Sequence, residues 1–491
     1  MVMKLSARTI AALPKAVSVP SYDRAALTPG IIHIGVGNFH RAHMAVYLDR
    51  LIEAGGAQDW AIIGAGVKPH DAAMRERLAA QDWLTTVVEL DPEGLSARVT
   101  GAMIDFLPID NAGLIAALAD PAIRIVSLTI TEGGYYLDAQ GGFDAGNPEI
   151  VADAAAPEAP QTVFGILLAG LARRRAAGTA PFTVMSCDNL PGNGHVAAQA
   201  VTGLARLIDP ALAGWVTANV AFPNGMVDCI TPATTERERA RVADLFGIED
   251  AAPVVCEPFR QWVLEDNFPA GRPAFETVGV EFVADVTAHE LMKLRILNGG
   301  HAAIAYPGGL LGHHFVHEAM ADADITGWLT ALEEREVIAT LTPIPGVDFG
   351  RYLETTKARF ANAAVGDTIA RLCLDGSNRQ PKFILATIAA ALGQGRPIAG
   401  LALELALWCR YCAATTEAGA PIVIEDALAG VLTPAALAAR SDPAAFLGIE
   451  PVFGALGREP KLASAFAAAL GSLWSKGVRA TLRAYVAGGA A

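Results

Sequence analysis

An α/β N-terminal domain followed by a mainly α-helical C-terminal domain is the fold class this sequence predicts. Three observations predict it. Short β-branched runs ending in glycine or polar turns recur through the first half, with helical stretches between them. From His289 onward long Ala- and Leu-rich helical stretches take over and strand signals become sparse. A length of 491 residues exceeds what a single core supports. The expected division is 1–284 and 285–491.

Composition narrows the class. The chain is 52% hydrophobic and 18% charged, which is globular and well able to bury a core. A net charge of -14 leaves no basic surplus for neutralising phosphates, so nucleic acid is not an expected partner. The six cysteines are scattered, and no second ligand pair stands at zinc spacing from Cys409-Arg-Tyr-Cys412. That pair lies in an apolar helical run and reads as core packing. The N-terminus lacks the apolar segment of a signal peptide, and no apolar run reaches the length of a membrane helix. A reduced, cytoplasmic protein is expected.

The first element is the run Ile31–Ile34, which meets Gly35-Val36-Gly37 before a helix expected from about Arg41 through Ala54. Strand, glycine turn and helix open a dinucleotide-binding, Rossmann-type βαβ unit. Gly35 would make the tight turn, and Gly37 would let the backbone approach a pyrophosphate at the helix N-terminus. His40 stands where a third glycine belongs, so the motif alone reads equally as an ordinary strand-to-helix turn.

A second strand, Trp60 to Gly66, ends in the polar loop Val67-Lys68-Pro69-His70-Asp71. Asp71 is the candidate for the ribose hydroxyls, although it follows Gly35 by 36 residues, farther than is usual. Lys68 and His70 pull towards a 2′-phosphate, while Asp71 favours NAD over NADP. Strands are expected at Thr85–Leu90 and Ala97–Gly101, and a helix at Asn111–Ala119. Ile123–Thr131 reads as a buried parallel strand. Ligands bind at the carboxyl ends of such strands, which makes Thr131 and Glu132 candidates. A helix over Thr162–Ala177 precedes Phe182–Asn189, another strand with Asn189 at its end. Val220–Asp228 repeats the pattern, and a last strand is expected near Val278–Phe282.

The second half opens on Lys293-Leu-Arg-Ile-Leu-Asn-Gly-Gly-His-Ala-Ala-Ile-Ala-Tyr306. On an α-helix with Lys293 at 0°, His301 falls at about 80° and Asn298 at about 140°. An amine, an amide and an imidazole on one side suit proton transfer beside a carbonyl or alcohol. A buried helix whose Lys and His reach the surface at its ends explains the same residues. Gly299 and Gly300 each cost roughly 1 kcal/mol in a helix, which suggests a close approach to the backbone. Further helices are expected at Ile325–Leu341, Thr368–Leu374, Pro381–Leu392, Gly400–Thr415 and Leu462–Ala487. Asp375–Lys382 reads as a polar loop.

Gly35–His43, Ser127–Tyr135, Met185–Pro191, Phe222–Asp228 and the pattern Lys293-(x)4-Asn298-x-x-His301 together resemble the polyol-specific long-chain dehydrogenase/reductase family. The likeness runs from about residue 20 to the C-terminus. It implies zinc-independent hydride transfer between NAD and a secondary alcohol, interconverting a polyol and its 2-ketose. It implies Lys293 as general acid/base, Asn189 and Asn298 as the amide pair on the reacting oxygen, and His301 as a substrate-orienting residue. Asp228 and Arg371 would contact substrate, joined by Glu132 from its place at a strand's carboxyl end, and Glu290 would pass the proton outward. Gly35, Val36, Gly37, Asn38, Phe39, Arg41 and Asp71 would hold the cofactor; the family's acidic neighbour of Asp71 is His70 here. A lysine desolvated near a nicotinamide cation would titrate towards neutrality, as a base needs. Asn189 lies in the first domain and Lys293 in the second, so the site would require both domains packed together.

A hexuronate reductase of the same family is the alternative, with Arg379 or Lys382 serving a substrate carboxylate. A cofactor-sensing protein without catalysis is more remote, since Lys293, Asn298, His301 and Asn189 are all present. The expected partner is a small polyol or ketose, with no nucleic acid or membrane, in a chain compatible with a monomer.

Overall fold

The computed structural model describes residues 2–138 and 140–488. The chain divides after Thr287 into two compact units.

The first unit is built on five parallel strands: β1 (Pro29–Ile34), β2 (Ala61–Ala65), β3 (Met103–Phe106), β4 (Ile125–Leu128) and β5 (Thr183–Ser186). Their order is β3-β2-β1-β4-β5. This is the doubly wound arrangement, with its switch point beside β1. Every residue of β4 and β5 is buried, which is why both read as unbroken apolar runs. On one face, Leu114, Leu118, Phe164, Leu167, Val201 and Leu204 pack on Ile32, Val126 and Val184. Tyr47, Leu48 and Leu51 pack with Ile31, Ile62 and Ile125 in a separate cluster.

Several boundaries differ from expectation. The helix expected over Arg41–Ala54 is two helices, Asn38–Ala42 and Met44–Glu53, broken where His43 takes ψ -92°. The runs at 123–131 and 182–189 yield strands of only four residues each, because their polar ends turn into loops. Val220–Asp228 contributes only Gly225–Asp228, and this strand pairs antiparallel with Gln261–Glu265 in a separate three-stranded sheet. Pro223 lacks the N–H that a longer ladder needs. The last strand falls at Glu281–Val283, after a 3₁₀ turn at Phe275–Val278. Asp71 begins a helix, Asp71–Ala79, where a loop was expected. Thr85–Glu89 and Ser96–Thr100 form an antiparallel pair, and Val254–Cys256 joins Thr85–Glu89 in parallel.

The second unit is helical throughout its core, which gathers Trp328, Trp408, Phe446 and Phe466. Ala399–Cys412 is buried from Gly400 to its end, so its sequence is apolar all round apart from Glu404 and Arg410. Cys409 and Cys412 are buried free thiols within it. The helix expected over Leu462–Ala487 is interrupted at Gly477, whose φ of +85° no helix accommodates. Asp375–Lys382 is not a loop. Asp375 takes φ +55° and starts the helix Gly376–Gln380, and the Asp426 carboxylate accepts from both Ser377 N–H and Ser377 Oγ. Among the described residues no helix is long and apolar enough to cross a membrane.

Candidate functional site

The first unit presents its chemistry at the carboxyl ends of its strands. After β1 the chain turns at Gly35, with φ +95°. A Cβ built there would overlap the Thr129 carbonyl, whose carbon would lie 2.8 Å away. Only glycine fits. Thr129 Oγ1 donates to the Gly35 carbonyl at 2.5 Å, and His33 Nε2 lies 3.2 Å from the same oxygen. His33 Nδ1 bonds Ser127 Oγ at 2.8 Å, so the imidazole is pinned under the turn. His40 occupies the place of the missing third glycine and stacks on His33, with ring centroids 3.4 Å apart. Burial pushes His33 down to about 3. Burial, then the neighbouring His33, Arg41 and His43, push His40 well below its usual value. Two neutral, stacked imidazoles therefore floor the glycine turn at pH 7.

The cofactor candidates around this turn differ in what they face. At Gly37 an added Cβ would meet only the Gly35 carbonyl, at 3.9 Å, so the space over the turn is open. That suits a dinucleotide backbone better than any side chain would. Arg41 is 2% exposed and turned onto the protein: it donates to the Gly37 carbonyl at 3.2 Å, to Asn38 Oδ1 at 2.8 Å and to the Ala252 carbonyl. Asn38 Nδ2 donates to the Pro232 carbonyl and to Thr234 Oγ1. Phe39 stacks on His43, and Val36 is buried. Arg41 and Asn38 thus brace the turn. Asp71 Oδ2 accepts from Val67 N–H and Lys68 N–H, both at 2.9 Å, while Oδ1 lies 3.6 Å from His70 Nε2. One carboxylate oxygen of the ribose candidate is thereby tied to its own loop.

At the end of β5 the chain separates two adjacent polar residues. Asp188 turns inward and accepts from Ile130 N–H, Thr131 N–H and Tyr135 Oη, at 2.9, 2.9 and 2.7 Å. It ties β5 to the loop after β4, where Thr131 sits at φ +65°. Asn189 is exposed, as is Glu132. Asn193 then joins the Asp188 carbonyl to Gly225, donating to both carbonyls and accepting from Gly225 N–H. Gly225 opens the strand that ends at Asp228, which is 4% exposed. Asp188 and Asn193 were not singled out in the sequence. Their only signal was position after a strand, which Asn189 shared.

The helix Thr287–Met292, carrying Glu290, runs into a π-helical segment, Lys293–Asn298, and then into Gly299–Leu311. The α-helical spacing assumed for this stretch is therefore wrong across its first six residues. In a π segment hydrogen bonds run i→i+5, so Asn298 comes over Lys293, closer than the roughly 140° of an α-helix. Lys293 is 9% exposed. The His301 ring packs on Phe360 with centroids 4.2 Å apart, and its Nε2 has no hydrogen-bond partner among the described residues. Burial first, then the charges of Arg371, Arg359, Arg379 and Lys293, hold His301 well below its usual pKa, so it is neutral at pH 7.

Two more π segments, Glu333–Val337 and Pro381–Leu385, pack on Lys293–Asn298. Lys382 belongs to the second of them. Arg371 forms a two-point ion pair with Asp367, which raises its pKa. Arg379 donates to the Leu372 carbonyl at 3.0 Å. Glu333 is fully buried, and neither carboxyl oxygen has a partner among the described residues. Burial pushes its pKa well above the usual carboxylate value. The expected close approach at Gly299 and Gly300 is not found: added Cβ atoms would meet their nearest neighbours at 3.8 and 3.4 Å, ordinary or slightly tight contacts.

Comparison with known proteins bears on the whole chain. The mannitol dehydrogenase Rossmann domain matches residues 29–277, and the mannitol dehydrogenase C-terminal domain matches residues 285–474. The chain belongs to the mannitol dehydrogenase family. Mannitol 2-dehydrogenase of Cereibacter sphaeroides is 57% identical, over 97% of this chain and 100% of that protein. Among solved structures, Pseudomonas fluorescens mannitol 2-dehydrogenase, in a ternary complex with NAD and D-mannitol, is 44% identical with a TM-score of 0.86, covering 99% of this chain and 100% of the other. A substrate-free D-sorbitol dehydrogenase is 37% identical with a TM-score of 0.90, over 98% of this chain and 100% of the other. Membership in the mannitol dehydrogenase family agrees with the resemblance carried by the motifs and with the fold class expected from the sequence.

Proposed function

We propose that this chain is an NAD-dependent oxidoreductase interconverting a polyol of the mannitol, sorbitol or arabinitol type with its 2-ketose. The observation that carries the reading is the π segment that brings Asn298 over Lys293, followed one turn later by a neutral His301 with an unpartnered Nε2. The turn at Gly35–Gly37 suits the pyrophosphate of NAD, which when bound supplies the hydride acceptor. Lys293 takes the hydroxyl proton as the alcohol carbon gives up its hydride, and returns it in the reverse direction. Asn298 donates an amide hydrogen to the oxygen as negative charge develops there, and Asn189 is assigned the second such donor. Neutral His301 can accept from one substrate hydroxyl and so orient the sugar chain. Arg371 and Asp228, with Glu132, are assigned to further hydroxyls. Glu290, three residues before Lys293, is assigned to carry the proton on to solvent.

Relatives acting on mannitol and sorbitol support a polyol over a hexuronate. NADH oxidation measured with fructose and with fructuronate, and NAD reduction with mannitol, sorbitol and arabinitol, tests the reading. Turnover with fructose and at least one polyol is expected. Turnover confined to fructuronate would replace the substrate class, and none with any of them would remove the dehydrogenase reading. We also take the protein to act as a cytoplasmic monomer, which light scattering of the purified chain checks for its oligomeric part.

A further inference from the structure

Two thiols in the first unit lie against each other beside Asp228. Cys229 follows the strand Gly225–Asp228, and Cys256 ends the strand Val254–Cys256. The next residues clasp the two strand ends: Glu257 N–H donates to the Ile230 carbonyl at 2.9 Å, and Ile230 N–H donates to the Glu257 carboxylate at 2.6 Å. The two thiols share a hydrogen bond, inside a small cluster with Val46, Val87 and Val254. Arg260 Nη2 donates to Cys256 Sγ at 3.1 Å, while its Nη1 donates to Glu89 at 2.6 Å. Thr231 Oγ1 lies 3.7 Å from Cys229 Sγ, and the Val88 carbonyl 3.9 Å from Cys256 Sγ.

These neighbours divide the pair. The Cys229 hydrogen bond, and Arg260 against the opposing effect of burial, draw Cys256 below the usual thiol range. The same hydrogen bond and burial push Cys229 well above it. One sulfur is suited to be the anion and the other holds the proton, which is what closing a disulfide requires. Cys256 is 0% exposed and Cys229 is 7% exposed, so a small reagent reaches the Cys256 thiolate past Cys229.

We propose that Cys229 and Cys256 form an oxidisable dithiol site for hydrogen peroxide and small peroxides of its class, closing to an internal disulfide that displaces Asp228 and lowers turnover. The Cys256 thiolate, beside Arg260, attacks the peroxide O–O bond, giving Cys256 sulfenic acid and hydroxide. Hydroxide takes the proton of Cys229 and leaves as water. The Cys229 thiolate then attacks the sulfenic sulfur, forming the S–S bond and releasing hydroxide, which solvent neutralises. The two sulfurs together lose two electrons and peroxide gains them. A disulfide is about 2.05 Å long, shorter than any hydrogen-bonded sulfur pair, so closure pulls on the residue next to Cys229. The effect on turnover rests on reading Asp228 as a substrate residue; the cross-link does not.

The test treats the full chain with hydrogen peroxide at neutral pH and follows it by non-reducing peptide mapping alongside turnover. A cross-linked peptide containing Cys229 and Cys256 is expected, with the oxidised fraction slowed roughly 10²-fold, the scale of a 1 Å misplacement. Dithiothreitol should restore it, and Cys229→Ala or Cys256→Ala should keep basal turnover and lose the reversible inhibition. Mapping needs no variant to fold and no active substrate. Oxidation of other cysteines without this cross-link overturns the site. A cross-link with unchanged turnover overturns its coupling to Asp228.

Discussion

Two pairs of glycines flank the chemistry of this molecule, and they are glycine for different reasons. In Gly35-Val-Gly37 the first is required: φ is +95°, and a Cβ would run into the Thr129 carbonyl. In Gly299-Gly300 neither is. Both are helical, and added Cβ atoms would meet neighbours no closer than 3.4 Å. The first pair shapes the backbone. The second follows a segment whose peculiarity is a π register and the side chains it aligns. A glycine in a motif is thus a structural demand only where φ or contact distance makes it one, and the same letters elsewhere mark nothing so specific.

The largest effect should come from a residue of the second region that leaves its backbone alone. Lys293→Ala removes the proposed base without touching the π register. Turnover should fall by about 10²–10⁴-fold, while NADH binding followed by fluorescence stays near its wild-type strength. Near-normal turnover would take Lys293 out of the mechanism and leave the π segment without a chemical reason.

Gly35→Ala should act the opposite way. Left-handed strain and the clash with Thr129 together cost about 3 kcal/mol or more. The thermal midpoint should drop by several degrees, and NADH binding should weaken with it, because the turn itself must move. Unchanged stability and NADH affinity would show that the turn gives way easily, and the contrast between the two pairs would collapse.

The floor of the first turn also sets a pH limit. His33 and His40 are neutral in the fold, with His33 down at about 3 and His40 well below 6.5. In the unfolded chain both titrate near 6.5, so below that pH the unfolded state binds more protons. Their contribution is fully present above about pH 6.5 and is lost as the pH falls towards the folded values, by roughly 1.4 kcal/mol per pH unit for each. Hydrogen exchange of the segment 31–43, corrected for intrinsic rates, should lose protection between pH 6.5 and 5.5. Flat protection over that interval would mean the stacked pair is solvated and protonated without cost.

How much of this was legible in the sequence follows from what is local. The parallel strands could be read because burial on both faces leaves an unbroken β-branched run, as in Ile125–Leu128. The central helix Ala399–Cys412 could be read for the same reason at helical period. Lys293, Asn298 and His301 were recognisable as a pattern, but their register was not. The π segment packs against two others, Glu333–Val337 and Pro381–Leu385, and no local periodicity encodes that packing. His40 read as a missing glycine because its stacking partner, His33, lies on the preceding strand. Position after the strand alone did not separate Asp188 from Asn189. Which one turns inward is decided by Ile130 and Thr131, whose backbone N–H groups need an acceptor.

The smallest effect is also the finest probe of the comparison. Gly299→Ala places a methyl group 3.8 Å from the Leu294 carbonyl and 3.9 Å from Ile384, with no positive φ to oppose it. Replacing glycine by alanine inside a helix is favourable by about 1 kcal/mol, so the variant should unfold at the same temperature as the parent or slightly above it. Turnover and KM should then stay within about a factor of two, since 1.4 kcal/mol would be needed for tenfold. A variant that is more stable yet has a tenfold higher KM would put the substrate itself against this stretch of backbone. The second pair would then be glycine for the sake of a bound molecule, and the two pairs would differ only in whether protein or ligand makes the close approach.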